Sequence, residues 1–260
     1  MAATPPPSPL AEFARRHDPD RFLCALFAPT EARETIFALI AFNHELARAR
    51  EAAREPMMAL IRLQWWRETV EAALEGEPPR RHEVAGPVAG AVREGRLDAA
   101  GLFAMIEARE SDETGDEAVP LLERLRGTAG AVAAETGRLL GAPEEAMEGL
   151  RQIGTAYGAA GTLRSLAALE AQGRDPLPPG ADRAEAGRDL ARQGLSLLEK
   201  GQRGLAGLPA RAVAAALPAI LARRDLRRVL RADWQPGAPP APRGLGDRMA
   251  VAWAGWRGRV

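Results

Sequence analysis

The chain has 260 residues, enough for one large domain with a sizeable core. Its 35 Lys+Arg residues balance 35 Asp+Glu, so no global field draws it to nucleic acid. The one cysteine, Cys24 in the apolar stretch RFLCALFAP, excludes an internal disulfide framework and reads as core filler, and the scattered His17, His44 and His82 exclude zinc-ligand spacing.

In chain order, residues 1–16 open with MAATPPPSPL, which lacks a basic-then-apolar targeting pattern and reads as a disordered Pro-rich tail. A long helix is predicted from Thr30, a candidate N-cap with Glu31 and Glu34 in the first turn, to Pro56. A second, over 57–75, carries Met58, Ile61, Leu63, Trp65, Trp66, Val70 and Leu74 and ends at Gly76 and Pro78–Pro79. Further helices are predicted over 83–94, 98–111, 118–140, 143–171 (closed by Gly173), 181–206, from Pro209 to about 230, and over 245–257. Ala, Leu, Arg and Glu dominate while aromatic and β-branched residues are sparse, so the fold class is all-α. All but one of the cations are Arg; Lys200 is the exception. No apolar run reaches the about 20 residues that span a bilayer.

The domain expected is single and runs over 17–235, followed by a hinge and a Trp/Arg-rich segment over 236–260. In that segment Met249, Trp253 and Trp256 fall near one helix face beside Arg248, Arg257 and Arg259. Such a face suits a membrane interface, a partner groove, or a terminal helix docked on the bundle.

The stretch HDPDRFLCALFAPTEARETIFALIAFNHELARAREAAREPMMALIRLQWWRETVEAALEGEPPRRHEVAGPV resembles the squalene/phytoene synthase family. The resemblance lies in FAP before the first long helix, AF and ELAR within it, and RLQWWRE followed by EPPRRHEVA. It resumes at GTAYGAAGTLRSLAALEAQGRDPLPP, which is similar to the family's second core helix and its Gly-Arg loop. It implies a single-domain isoprenoid-synthase-like helical bundle around a deep pocket. Active members hold Asp-rich motifs on two facing helices, because diphosphate leaves only when Mg²⁺ ions neutralise it and hard Mg²⁺ prefers carboxylate oxygens.

By this resemblance the first motif falls at Ala47, Arg48 and Glu51, and the second at Ser165 and Leu169. Only Glu51 is acidic, and Glu55 lies one turn further on; Glu170 points about 100° away from Leu169 around the helix. No catalytic residue and no metal ligand is therefore assigned, and no cofactor is expected, Mg²⁺ entering only if the chain is a transferase. Arg48 is expected to be neutralised by Glu45, Glu51 or an acid of a neighbouring helix. Candidate pocket-lining residues are Asn43, Tyr157, Gly161 and Arg164. Gly158 and Gly161 fit either close helix packing or a ligand near the backbone, and Tyr157 reads as a core aromatic. Of Trp65 and Trp66, about 100° apart, one is expected in the core. His44 reads as a hydrogen-bonded structural histidine. Arg174 is the candidate anion-binding residue, although turn chemistry explains it equally well.

The subgroup resembled includes an assembly factor for respiratory complex I. That implies a non-catalytic helper, cytoplasmic or peripheral to the inner membrane, whose partners are respiratory-complex subunits or the inner-membrane surface. The alternatives are a Mg²⁺-dependent transferase condensing two prenyl diphosphates and a protein that binds an isoprenoid or quinone lipid. Nucleic acid is not among the partners expected.

Overall fold

The computed structural model describes residues 7–51, 56–113 and 119–260. Every regular element is helical, and no strand occurs among the described residues. By their contacts the helices group into two compact units, Met1–Asp116 and Glu117–Val260.

The first unit holds α1 (Pro9–His17), α2 (Pro19–Ala25), α3 (Thr30–Glu51), α4 (Pro56–Leu74), α5 (Ala85–Arg93) and α6 (Ala99–Glu113). The stretch expected as a disordered tail is helical from Pro9 onward. The Ser8 hydroxyl accepts the Ala11 N–H at 3.0 Å, and Pro9 occupies a first-turn position where no amide hydrogen is needed. Ser8 also donates to Glu34 of α3 at 2.6 Å, while Leu10, Ala11 and Ala14 are buried. Asp18 starts α2 by accepting from the Arg21 N–H at 2.9 Å. Thr30, expected as a cap, is itself the first residue of α3. Residues Ile36 through Phe42 are all buried, so α3 is apolar on every side in its middle and contacts each other helix of the unit.

The second unit begins with α7 (Leu121–Leu125), a π-helical turn at Arg126–Gly130, and α8 (Ala131–Leu139), in place of the single helix predicted over 118–140. Next come α9 (Glu144–Arg164) and α10 (Leu166–Ala171), which break the predicted 143–171 helix at Ser165. α11 (Arg183–Arg203), a 3₁₀ turn at Ala210–Ala212, α12 (Val213–Ala216), α13 (Pro218–Val229) and α14 (Leu245–Arg257) complete it. α9 is the hub, packed by α8, α11, α13 and the π turn. Leu150, Ile153, Ala156, Ala159, Ala160 and Leu163 bury its core face. No helix is long and apolar enough to cross a membrane among the described residues.

Close approach sets how this hub packs. A Cβ on Gly149 of α9 would stand 2.7 Å from the Gly201 carbonyl of α11, and one on Gly201 would stand 2.7 Å from the Gly149 carbonyl. Gly161, by contrast, has open space where a Cβ would go. Gly149→Ala is therefore expected to destabilise the protein by about 1–3 kcal/mol. Gly161→Ala should leave stability unchanged or raise it by up to about 1 kcal/mol, since Ala is the better helix former. Urea denaturation midpoints of the two variants check the contrast.

Candidate functional site

The first-motif positions lie on α3. Asn43 and Ala47 form one row of its surface and are half-buried. The Asn43 Oδ1 is buried and has no hydrogen-bond partner among the described residues, leaving an acceptor to spare. Arg48 is exposed, with Nη1 3.6 Å from Glu45 Oε1. Of the partners expected for it, Glu45 is the one found; the side chain of Glu51 and the whole of Glu55 lie outside the described residues. Because Arg48 is half in water, it escapes the desolvation cost that motivated the search for a partner. A pair of this kind contributes at most about 1 kcal/mol.

His44 sits among rings. Its centroid lies 4.3 Å from that of His17 and 5.4 Å from that of Phe13, and its Nε2 is buried without a hydrogen-bond partner among the described residues. Burial foremost, then the His17 ring and Arg48, lower its pKa below the ordinary value, against an opposing pull from Glu45 and Asp18. His44 is a packed ring whose surroundings favour the neutral form.

The RLQWWRE and EPPRRHEVA segments fold onto each other. Trp66 is buried edge-on against Phe42, with ring centroids 5.3 Å apart. Trp65 is half-buried, 4.9 Å from Trp66, and its outer face is covered by the Arg80 guanidinium at 5.2 Å. Arg80 also pairs with Glu68 at 2.7 Å, and the Arg80 and Gln64 hydrogen bonds lower the Glu68 pKa. His82 lies against both tryptophans, and its Nδ1 accepts the Val84 N–H at 3.1 Å at the start of α5. The residues that carry the family resemblance most specifically thus brace α4 against the chain entering α5.

The second-motif positions lie in the other unit. Tyr157 packs at the edge of that unit's core, and Gly158 is closely packed, a Cβ there standing 2.9 Å from that of Ala129. Ser165 is exposed at the break between α9 and α10 (φ −96°, ψ 6°), and Leu169 is half-buried on α10. Arg183 is paired with Glu170 and with Asp175 at 2.6 Å. The Arg183 hydrogen bond and then the Leu177 N–H hold Asp175 below the usual carboxylate range. The Arg174 backbone N–H closes α10 on the Leu169 carbonyl at 2.9 Å. No hydrogen bond or ion pair of its side chain is found among the described residues.

Arg164 is not simply a lining residue. Its Nη1 donates to Asp225 Oδ1 at 3.3 Å and its Nη2 to the Ala241 carbonyl at 3.1 Å. Asp225, 4% exposed, is also held by Arg228 at 2.9 Å and by both ends of the Arg243 guanidinium at 2.8 and 2.7 Å. Asp247, 3% exposed, takes Arg224 at 2.6 Å, Arg228 at 3.1 Å and the Gly244 N–H at 3.3 Å. Burial alone would raise the Asp247 pKa; the Arg224 hydrogen bond, the Arg228 charge and the Gly244 amide outweigh it and lower the value. This network ties 236–244, expected as a hinge, to α9 and α13. Sequence reasoning missed it, although RRDLRR at 223–228 is a dense enough run of charge to have flagged it.

The donor chemistry of the motif positions does not suit Mg²⁺. Ala47 and Leu169 offer no side-chain oxygen, Ser165 offers a neutral hydroxyl, Arg48 brings a cation, and Glu51 alone is a carboxylate. No group of three or more His, Cys, Asp or Glu side chains able to hold a metal is gathered among the described residues.

The family model described as squalene/phytoene synthase matches residues 14–245. Curated relatives include the assembly factor 6 of NADH dehydrogenase (ubiquinone) complex I from Bos taurus, 37% identical over 101 residues, and from Homo sapiens, 36% identical over 101 residues. Each match covers 39% of this chain and only 30% of the relative's length. The fold is that of a dehydrosqualene synthase crystallised with a ligand, with TM-score 0.77, 15% identity, and 95% of this chain and 94% of that one covered. It is also that of squalene synthase HpnC from Alicyclobacillus acidocaldarius, with TM-score 0.69, 18% identity and coverage of 85% and 91%. The expected all-α isoprenoid-synthase bundle is therefore the fold observed.

Two outcomes are expected. Asp225→Ala leaves three arginines without their shared partner and should cost about 2–4 kcal/mol, whereas Arg164→Ala leaves Asp225 still paired and should cost about 1 kcal/mol; thermal and denaturant unfolding compare them. The depressed His44 pKa means that its contribution to stability is complete above the unfolded value of about 6.5 and is lost as pH falls through the lower folded value. As pH falls below about 6.5, His44→Phe should show a shallower fall in stability than the unsubstituted protein.

Proposed function

Because the chain belongs to the squalene/phytoene synthase family, and because Glu51 is the one carboxylate left at its motif positions, we propose that it is a non-catalytic helper in the assembly of respiratory complex I. The observation that carries this reading is the residue set Ala47, Arg48, Ser165 and Leu169, where diphosphate ionisation needs Mg²⁺-binding oxygens. The identity to complex I assembly factor 6 supports it over the stretch matched. Its partners in this role are complex I subunits or assembly intermediates, met at the inner-membrane surface, and it needs no metal cofactor.

A second reading, a prenyl-diphosphate transferase, has the fold and Glu51 in its favour. One pair of experiments separates the two. Purified protein incubated with farnesyl diphosphate and Mg²⁺ should release no diphosphate above the rate without protein. Deletion of the gene should lower NADH:ubiquinone oxidoreductase activity in membranes, and a Glu51→Ala copy should restore it as well as the unaltered gene. Metal-dependent diphosphate release abolished by Glu51→Ala would establish the transferase instead.

A further inference from the structure

The outer face of α14 is the opposite of what a terminal helix docked on its bundle should show. Its inward stripe is made of small side chains and one carboxylate: Asp247, Val251 and Ala254 are buried. Its large apolar residues point outward, with Leu245 76% exposed, Met249 58%, Trp253 57% and Trp256 76%. Positions 245, 249, 253 and 256 follow the i, i+4, i+8, i+11 spacing of one helix face. The orientation is locked, because Asp247 is held by Arg224, Arg228 and the Gly244 N–H, so α14 cannot roll its apolar face inward without unpairing a buried carboxylate.

The rim of this face carries one sign of charge. Arg248, Arg257 and Arg259 are exposed on and just after α14, and Arg224, Arg227 and Arg231 are exposed on and just after α13, the helix against which α14 packs. The acids of 218–260 are Asp225, Asp233 and Asp247; the first and last are buried and already paired, which leaves Asp233 alone at the surface against these arginines. The two tryptophan rings lie 5.3 Å apart, and the Arg257 guanidinium sits 5.6 Å from the Trp253 ring centre. Indole rings settle at the boundary between headgroups and acyl chains, and guanidinium groups at that depth meet lipid phosphates.

We propose that α14 is a membrane-docking helix that lies in the plane of an anionic bilayer, with Leu245, Met249, Trp253 and Trp256 in the interface and the flanking arginines on anionic headgroups. The occupant is the lipid surface, because the apolar stripe is framed by cations and carries no exposed acid of its own. This deepens the proposed function by naming the surface used at the membrane. Vesicle binding and diphosphate release are separate assays, so either idea can fail without the other.

The test is co-sedimentation of the full chain with phosphatidylcholine vesicles and with vesicles that also contain phosphatidylglycerol, at low and high salt, with tryptophan emission recorded in parallel. Binding to the anionic vesicles alone is expected, weakened by salt and accompanied by a blue shift. Trp253→Ser with Trp256→Ser should abolish the shift and reduce partitioning by at least about tenfold. Arg248→Gln and Arg257→Gln should each weaken it by about fivefold. All these side chains are exposed, and far-ultraviolet circular dichroism should confirm that each variant remains folded. No binding to anionic vesicles, equal binding to neutral ones, or binding indifferent to the tryptophan pair would overturn the proposal. So would concentration-dependent self-association, lost in the tryptophan variant, without vesicle binding, because the face would then belong to a second copy.

Discussion

How closely the backbone of α9 can be approached decides the rest of the second unit. Gly149 lets Gly201 of α11 come to carbonyl contact, and Gly158 accepts Ala129 of the π turn. With few aromatic residues to fill space, the unit builds its core from Ala and Leu, and small side chains give dense packing only when helices approach closely. The π turn at Arg126–Gly130 fits the same need, since Gly130 faces Arg151 and Thr155 of α9 at distances that no Cβ could occupy. Gly161, further along the same helix, has no such neighbour, so close packing does not require a glycine there.

The second organising element is ionic. A buried carboxylate is costly unless paired, and Asp225 and Asp247 are each met by several guanidinium groups. The planar fork of arginine lets one residue, Arg228, serve both acids. Through these pairs α9, α13, the 236–244 segment and α14 are fixed to one another. Asp225 and Asp247, both almost fully buried, are neutralised by the chain's own arginines.

Much of the architecture was legible because proline and glycine mark the helix ends. Pro56, Gly76, Gly173 and Pro209 lie within a residue or two of real boundaries, with Gly95 and Gly141 behaving likewise. The helix at Pro9 was hidden by composition: prolines read as a tail, whereas one of them follows a serine cap and opens a helix. The break at Ser165 has no proline or glycine to announce it. At the candidate site, sequence placed Asn43, Ala47 and Arg48 on one helix and named Glu45 among the partners of Arg48, and that pair is present, with Arg48 half in solvent. Arg164 was read as a lining residue because its partner Asp225 lies 61 positions away, and no local pattern links the two. The outward α14 stripe was visible as spacing, but which way the stripe faced depended on the pairing of Asp247.

The reliance on arginine reaches into the bench chemistry of the molecule. Lys200, exposed near the end of α11, is the one side-chain amine in the sequence, and Cys24 is buried. Among side chains, amine-directed crosslinkers and acylating labels will find that single lysine and pass over the arginine-rich surface of α13 and α14. A map of neighbours built from lysine crosslinks would therefore be nearly blank even for a firmly bound protein, and that silence would carry no information about contact. A label placed on Lys200, by the same token, reports from one known point on the second unit without further engineering.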